Sequence, residues 1–501
     1  MSYIISLDSG TTSVRALLYN EKGEALGMCQ QEIHQSYPHA GWVEEDPIEI
    51  WNNQIDVTAK VIEKAGLKAS DITAIGITNQ RETLIAWDKE TGTPIYPAIV
   101  WQDRRTEETA AGILERGLGE WFQSRTGLIP DAYFSATKIQ WLLQNVPGAR
   151  EKAENGTLLF GTIDTWLIYN ATKGRTYATD YSNACRTMLF NIHTLGWDDE
   201  ILDYFGITRR NLPKAQESGS NFGMLDASYL GSEIPIRAVL GDQQSALFGQ
   251  LCFEKSEAKC TYGTGAFILS NIGSEPLTSK NGLLTTVAWG LNGEVCYAFE
   301  GSIFMAGATV QWLRDNLCLI TKASETGPIA ASVPDTAGVY FVSSFQGLGA
   351  PWWDNGSKAS IVGMTRKATK AHIVRAALES VAYRVKDVVG AMEREMGMPC
   401  KSLKVDGGMS ANDFLMQFQS DILQVPVVRT ATAEATAMGA AFMAGLTEGV
   451  WADQEELISL VRNLNGPESA ESRLYPEMEP HKANKLYHGW LEAIGHPEAI
   501  G

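Results

Sequence analysis

Two stretches of this chain follow one plan, and they stand half a chain length apart. Residues 3–15, YIISLDSGTTSVR, run from a short apolar segment through Asp8 and a Ser-Gly-Thr-Thr-Ser turn into a second apolar segment at Val14. Residues 257–272, EAKCTYGTGAFILSNI, repeat it with a Gly263-Thr264-Gly265 turn. Each reads as strand, tight turn, return strand. Such a turn gathers backbone N–H groups and hydroxyls at one concave spot, which suits a phosphate; a polar hairpin turn with no ligand fits each stretch equally well when it is taken alone. The echo favours a duplicated fold with a nucleotide between its halves, and Asp8 at a strand end can hold hydrated Mg²⁺, a hard cation that prefers carboxylate and water.

A chain of 501 residues is too long for one core, so two large domains are expected, 1–250 and 251–501, with C-terminal helices from about 451. A net charge of −18 argues against nucleic acid and anionic membranes as partners. The seven cysteines are odd in number and form no CxxC pair, which argues against a disulfide scaffold or structural zinc site and fits a reducing compartment. With no signal-peptide pattern and no long apolar run, the expectation is a cytoplasmic enzyme.

Each half opens with a meander and continues with alternating strands and helices. A helix is expected at Pro47–Ala65 with Asp46 as its cap. Strands are expected at Ile72–Thr78, with Leu84–Asp88 as its neighbour, and at 97–105, while 195–235 reads as irregular surface. The stretch 237–252 reads as a strand ending at Gly241-Asp242 and then a helix. In the second half, Asn292-Gly293 marks a hairpin. Helices follow at 302–317, 371–397 and 410–423, and 434–448 reads as a small-residue helix able to approach a sheet closely. The tail reads as two helices around a Pro-containing loop. This is an α/β chain of two actin-like, ribonuclease-H-like domains with a cleft between them.

The chain carries no GxxxxGK[ST], HExxH or GxSxG motif and no GxGxxG after a strand. Phosphoryl transfer to an alcohol needs a phosphate cradle, a cation, a base and groups that fix the acceptor. Asp242 is the candidate base, or else a helix N-cap. Arg81 and Glu82 can grip neighbouring hydroxyls of a polyol, or else form a surface ion pair. Trp101 and Tyr133 offer an apolar wall, or ordinary core. Asp406-Gly407-Gly408 can let backbone approach an adenine, with Asn412 one turn on.

Several stretches together carry a specific resemblance: DSGTTSVR at 8–15, GITNQRET at 76–83, IVWQDRRT at 99–106, YFSATKIQWLLQN at 133–145, GDQQSALFGQ at 241–250, YGTGAF at 262–267, FMAGATVQWLRD at 304–315 and VDGGMSANDFLMQFQSDIL at 405–423. Over nearly its whole length the chain resembles the FGGY carbohydrate kinases. The resemblance implies ATP-dependent phosphorylation of glycerol, with Mg²⁺. It implies that Arg81, Glu82, Tyr133, Asp242 and Gln243 hydrogen-bond the acceptor, that Trp101 and Phe267 line its carbon side, and that Asp242 is the base. Thr11, Thr12, Ser13 and Arg15 would handle the transferred phosphate and ADP; Thr264, Gly307, Gln311, Gly408 and Asn412 would hold the nucleotide; Asp8 and Asp242 would attend the metal. A homo-oligomer, dimer or tetramer, is the family expectation. The competing readings are another kinase of this family acting on a ketopentose or sugar acid, and a non-catalytic actin-fold ATPase. The segment 224–236, MLDASYLGSEIPI, lacks the glycine-rich loop and arginine by which some bacterial members bind fructose 1,6-bisphosphate. It also lacks the histidine by which others are phosphorylated, so neither control is expected here.

Overall fold

The opening apolar run is the centre of a sheet. In the computed structural model, which describes residues 1–345, 347–354, 356–430, 434–465 and 472–497, strand β1 (Tyr3–Ser9) pairs antiparallel with β2 (Ser13–Asn20), and β2 with β3 (Ala25–Glu32). Helix α1 (Pro47–Lys64) follows, its first turn capped by the Asp46 side chain, which accepts the Ile48 N–H at 2.8 Å. The chain returns as β4 (Ile72–Asn79), parallel to β1, and β5 (Ile234–Gly241), parallel to β4. The sheet order is β5-β4-β1-β2-β3, with the two-residue strand Met224–Leu225 on its β5 edge. Helix α2 (Asp242–Gly249) leaves directly from β5.

The second half rebuilds this order. Strands β6 (Ala258–Tyr262), β7 (Ala266–Gly273), β8 (Leu284–Leu291) and β9 (Glu294–Ile303) are followed by α3 (Gly307–Asp315), the long α4 (Lys370–Met396), β10 (Leu403–Asp406), α5 (Asp413–Leu423), β11 (Val427–Arg429) and α6 (Ala435–Glu448). The sheet runs β8-β9-β7-β6-β10-β11, and Ser472–Leu474 completes the far edge. β9-β7-β6-β10-β11 matches β3-β2-β1-β4-β5 in direction as well as order. The additional strand β8 joins β9 through Asn292-Gly293, both with positive φ, as a tight hairpin turn requires. The two actin-like, ribonuclease-H-like sheets anticipated from the duplicated hairpins are therefore present.

Several local expectations are corrected. Ile85–Asp88 is not a neighbour of β4; it pairs with Leu158–Gly161 in a separate ribbon, because the chain turns out of the first sheet after Asn79. Of 97–105 only Ala98–Ile99 is strand, paired with Glu44–Glu45. The stretch 195–235 is not all surface, since Ile201, Leu202, Phe205, Leu212 and Phe222 are buried in the core. The helix expected from Ser302 starts at Gly307, because β9 runs on to Ile303. The two tail helices are Gln454–Asn465 and Pro480–Ala493; of the Pro-containing loop between them, 466–471 lie outside the described residues, and Ser472–Leu474 is a strand.

Helix α6 belongs to the second half by chain order but packs on the first sheet and on α2. A Cβ at Gly76 on β4 would lie 2.2 Å from the Ala440 carbonyl oxygen, and one at Gly249 would lie 2.0 Å from that of Ala435. Ser245 on α2 donates its hydroxyl to the Thr436 carbonyl at 2.6 Å. The small side chains anticipated at 434–448 permit this approach of backbone to backbone. Ala437, Ala440, Ala441 and Ala444 share one buried cluster with Leu17, Ala74, Ala238 and Leu240 of the first sheet.

One buried acid of the first half makes stability depend on pH. Asp164, fully buried in the first turn of the helix Ile163–Ala171, accepts hydroxyl hydrogen bonds from Thr162 at 2.5 Å and Thr179 at 2.6 Å. Burial, aided by the nearby Asp180, pushes its carboxyl up to about 7. The folded chain thus keeps this proton up to near neutrality, while the unfolded chain releases it near 3.8. The contribution is complete below the lower value and is lost as pH rises toward 7. Asp164→Asn, neutral throughout, is therefore expected to gain on the wild type between pH 5 and pH 8 by at least about 1.4 kcal/mol, the equivalent of one pKa unit. Thermal melts of both proteins at the two pH values check this; a pH-independent difference between them contradicts it.

Candidate active site

The Asp8 turn closes on itself: the Gly10 N–H donates to the Ser13 carbonyl at 3.0 Å. Thr12 is exposed, and its carbonyl accepts the Ile33 N–H. Thr11 accepts the indole N–H of Trp101 at 3.0 Å. The Trp101 ring also meets Tyr133 and Phe267 edge-on, at centroid distances of 5.6 and 6.3 Å. Phe267 lies on β7, immediately beyond the Gly263-Thr264-Gly265 turn, so one tryptophan touches elements flanking both duplicated turns.

The second turn is fastened to α3. The Thr264 carbonyl accepts the N–H groups of Ala306 at 2.9 Å and Ala308 at 3.0 Å, and Gly307 N–H donates to Gly263. A Cβ at Gly307 would stand 2.6 Å from the Gly263 carbonyl oxygen, so glycine lets the helix abut the turn. The Thr264 side chain stays exposed, as do Gln311 one turn along α3 and Gly408 after β10. Asn412 caps α5 through the Leu415 N–H and donates to the Thr326 hydroxyl at 3.1 Å, against Gly327. Gly408 and Asn412 thus lie together, and the turn that carries Gly408 abuts the second duplicated turn, since a Cβ at Gly407 would stand 2.5 Å from the Tyr262 carbonyl oxygen.

Asp242 heads α2. Gly241, not Asp242, is the N-cap; the Asp242 carboxylate turns back, accepting its neighbour Gln243's backbone N–H at 2.7 Å and lying 3.3 Å from Arg81 Nε. Its side chain keeps 31% of its surface open. The Gln243 amide N–H₂ reaches the other Asp242 oxygen at 3.4 Å, and its carbonyl accepts from Lys259 Nζ. Arg81 and Glu82 sit in the loop after β4, held against the first turn where the Gln80 N–H donates to Ser9 at 2.8 Å. They are not a surface pair: Arg81 is 3% and Glu82 1% exposed. Arg81 Nη2 lies 3.5 Å from the Tyr133 hydroxyl.

Three buried charged residues here escaped the sequence reading. Glu300 takes both Arg81 nitrogens, at 2.6 and 3.0 Å; Arg186 donates to Glu82 at 2.6 Å and to Glu300 at 3.0 Å; Lys259 lies between Gln243 and the Thr261 hydroxyl. The available signal was a charge inside a run that otherwise reads as buried strand, Glu300 in YAFEGSIF and Lys259 in AKCTY. Burial pushes the Lys259 ammonium below its ordinary range. Burial alone would raise Glu300, but Arg186 and Arg81 outweigh it and bring its carboxyl down to about 2.

At the mouth of the first turn, Arg15 bridges Asp8 and Glu434, at 2.7 Å each. Burial pushes Asp8 up to about 6; Arg15 opposes the shift, while Asp242 and Glu434 add to it. Asp242 therefore sits close enough to Asp8 to disfavour its charge, and the two carboxylates are a donor set that fits a hard divalent cation. Among the described residues no group of three or more acidic, histidine or cysteine side chains is placed to hold a metal.

Residues 3–249 match the N-terminal domain, and residues 258–448 the C-terminal domain, of the FGGY family of carbohydrate kinases. The chain is 54% identical over 494 residues to glycerol kinase 2 of Thermotoga maritima, covering 99% of this chain and 98% of the relative. It is 54% identical over 492 residues to glycerol kinase of Aeromonas salmonicida, covering 98% of this chain and 97% of the relative. The structure of Plasmodium falciparum glycerol kinase with ADP superposes with a TM-score of 0.93 at 39% identity, covering 99% of this chain and 98% of that one. A ligand-bound xylulose kinase from Lactobacillus acidophilus shares the fold over the full length of both chains, with a TM-score of 0.88 at 22% identity. The chain belongs to the FGGY family of carbohydrate kinases.

Proposed function

We propose that this chain transfers the γ-phosphoryl group of ATP to glycerol, giving sn-glycerol 3-phosphate and ADP. The observation that carries the reading is the contact chain that brings Arg81, Tyr133, Trp101, Phe267 and Asp242 together beside the Asp8 turn. The names of the full-length relatives and the ADP in the Plasmodium structure point the same way.

In this reading Arg81, Glu82 and Gln243 hold neighbouring hydroxyls of the acceptor, while Trp101 and Phe267 cover its carbon side. Asp242 accepts the proton of the attacking hydroxyl as that oxygen bonds to phosphorus and the bond to the ADP oxygen breaks. Thr11, Thr12 and Ser13 present turn amides and hydroxyls to the transferred group, and Arg15 adds a charge-assisted donor. Thr264, Gly307, Gln311, Gly408 and Asn412 hold the nucleotide on the opposite wall. Mg²⁺ bound at Asp8 and Asp242 would supply charge neutralisation at the phosphates.

ADP release with Mg·ATP, measured with glycerol, xylulose, ribulose, gluconate and no acceptor, tests the proposal. Release with glycerol well above all the others is the expected result. A pentulose or gluconate preferred over glycerol overturns the acceptor, and acceptor-independent ADP release overturns the kinase reading.

A further inference from the structure

Four fully buried charges form a closed ring behind the acceptor pocket. Glu82 Oε1 accepts from Arg186 Nε at 2.6 Å, and Arg186 Nη2 donates to Glu300 Oε1 at 3.0 Å. Glu300 in turn accepts from Arg81 Nη1 at 2.6 Å and Nη2 at 3.0 Å, and Arg81 Nε returns to Glu82 at 3.8 Å. Signs alternate around the ring and sum to zero. None of the four side chains is more than 2% exposed. Gln244 braces it: its carbonyl accepts from Arg81 Nη1 at 3.2 Å and its amide donates to the Thr286 hydroxyl at 3.0 Å. Arg186 also lies over the Tyr133 and Phe134 rings at 5.6 and 5.3 Å.

Glu300 stands on β9 of the second half, whereas the other three belong to the first. Its two oxygens meet Arg81 in the fork-to-fork arrangement that fixes a guanidinium plane. That plane decides where Arg81 Nε points, which is toward Asp242 at 3.3 Å. Arg186 likewise occupies one oxygen of Glu82, in a loop residue whose φ of 59° leaves the backbone little latitude. Only an arginine spans Glu82 and Glu300 together with donors in one rigid plane.

We infer that Glu300 and Arg186 are positioning residues for acceptor recognition: they preset Arg81 and Glu82 in the single arrangement that accepts neighbouring hydroxyls. The pocket is thereby complete only when β9 is packed against the Arg81 loop. This inference rests on the proposed grip of Arg81 and Glu82 on the acceptor.

The test is the KM for ATP and for whichever acceptor the wild type turns over, in Glu300→Gln, Arg186→Lys and Arg81→Met. Glu300→Gln keeps the shape of the side chain but turns an amide N–H₂ toward arginine donors. Arg186→Lys keeps the charge but loses the fork. Each is expected to raise the acceptor KM about tenfold or more, the scale of a hydrogen bond to a charged group, with the ATP KM unchanged. A purely structural role moves both KM values or neither, so equal shifts, or an acceptor KM within about twofold of wild type in a soluble variant, overturn the inference. If Glu300→Gln does not fold, Arg186→Lys decides alone. Arg81→Met separates the two ideas. An unchanged acceptor KM there removes the proposed grip itself, whereas a raised one beside unaffected Glu300 and Arg186 variants removes only the positioning role.

Discussion

Asp242→Asn is expected to lower kcat for glycerol phosphorylation about 10³-fold, within the span of one general base. The KM for glycerol should stay within about fivefold, because the substitution removes an interaction made mainly in the transition state. The amide is nearly isosteric and retains one carbonyl oxygen, which can accept the Gln243 backbone N–H and face Arg81 Nε as the wild-type oxygen does. It cannot take the hydroxyl proton. Steady-state ADP release gives kcat, and calorimetric titration with glycerol confirms that the pocket is intact. More than about a tenth of wild-type kcat would remove Asp242 from the role of base, since proton transfer would then contribute too little.

Gly439→Val is expected to be the most damaging single change to the fold. A Cβ there would stand 1.9 Å from the Ser245 carbonyl oxygen, 2.7 Å from its carbon and 2.9 Å from the Gly249 nitrogen. These are backbone atoms of α2, which cannot rotate aside as a side chain does. The two helices must separate, opening a packed core at a cost above about 3 kcal/mol, beyond ordinary overpacking. Because Asp242 is the first residue of α2, any molecules that fold should also be weak enzymes. Gly112→Ala is the control. It lies in the helix Glu107–Glu115 with nothing within 4 Å of an added Cβ, and it should gain up to about 1 kcal/mol from helix propensity. Thermal melts of the two variants beside the wild type check both statements.

The features legible in the sequence are those carried by local pattern. The duplicated hairpins, the Asp46 cap, the Asn292-Gly293 turn and the close-packing helix at 434–448 each rest on a few adjacent residues and a short-range rule. Sheet membership did not read out in the same way. Ile85–Asp88 has the composition of a strand, but whether it pairs with β4 or with Leu158–Gly161 is decided by the turn after Asn79 and by residues far along the chain. The burial of Arg81 and Glu82 was equally hidden. Adjacent opposite charges normally mark a solvated surface, and what draws these two inside is a pair of countercharges, Arg186 and Glu300, separated from them by 104 to 219 residues. Asp242 illustrates the reverse case. The helix-cap reading of Asp242 missed by one residue of register, since Gly241 takes the cap position.

Helix α6 gives the polypeptide a stitched architecture. Its residues are translated almost 200 positions after the first sheet is complete, yet Ala440 supplies the surface against which Gly76 of that sheet is seated. A ribosome that has released the first 250 residues has therefore made a sheet whose α6-facing side is still uncovered, and that side waits for a helix translated within the second half before it is dry. A gene split at the boundary between the two duplicated units would not yield two autonomous folding modules. Its fragments would have to find each other, much as a split reporter does, with α6 of one fragment serving as the missing wall of the other.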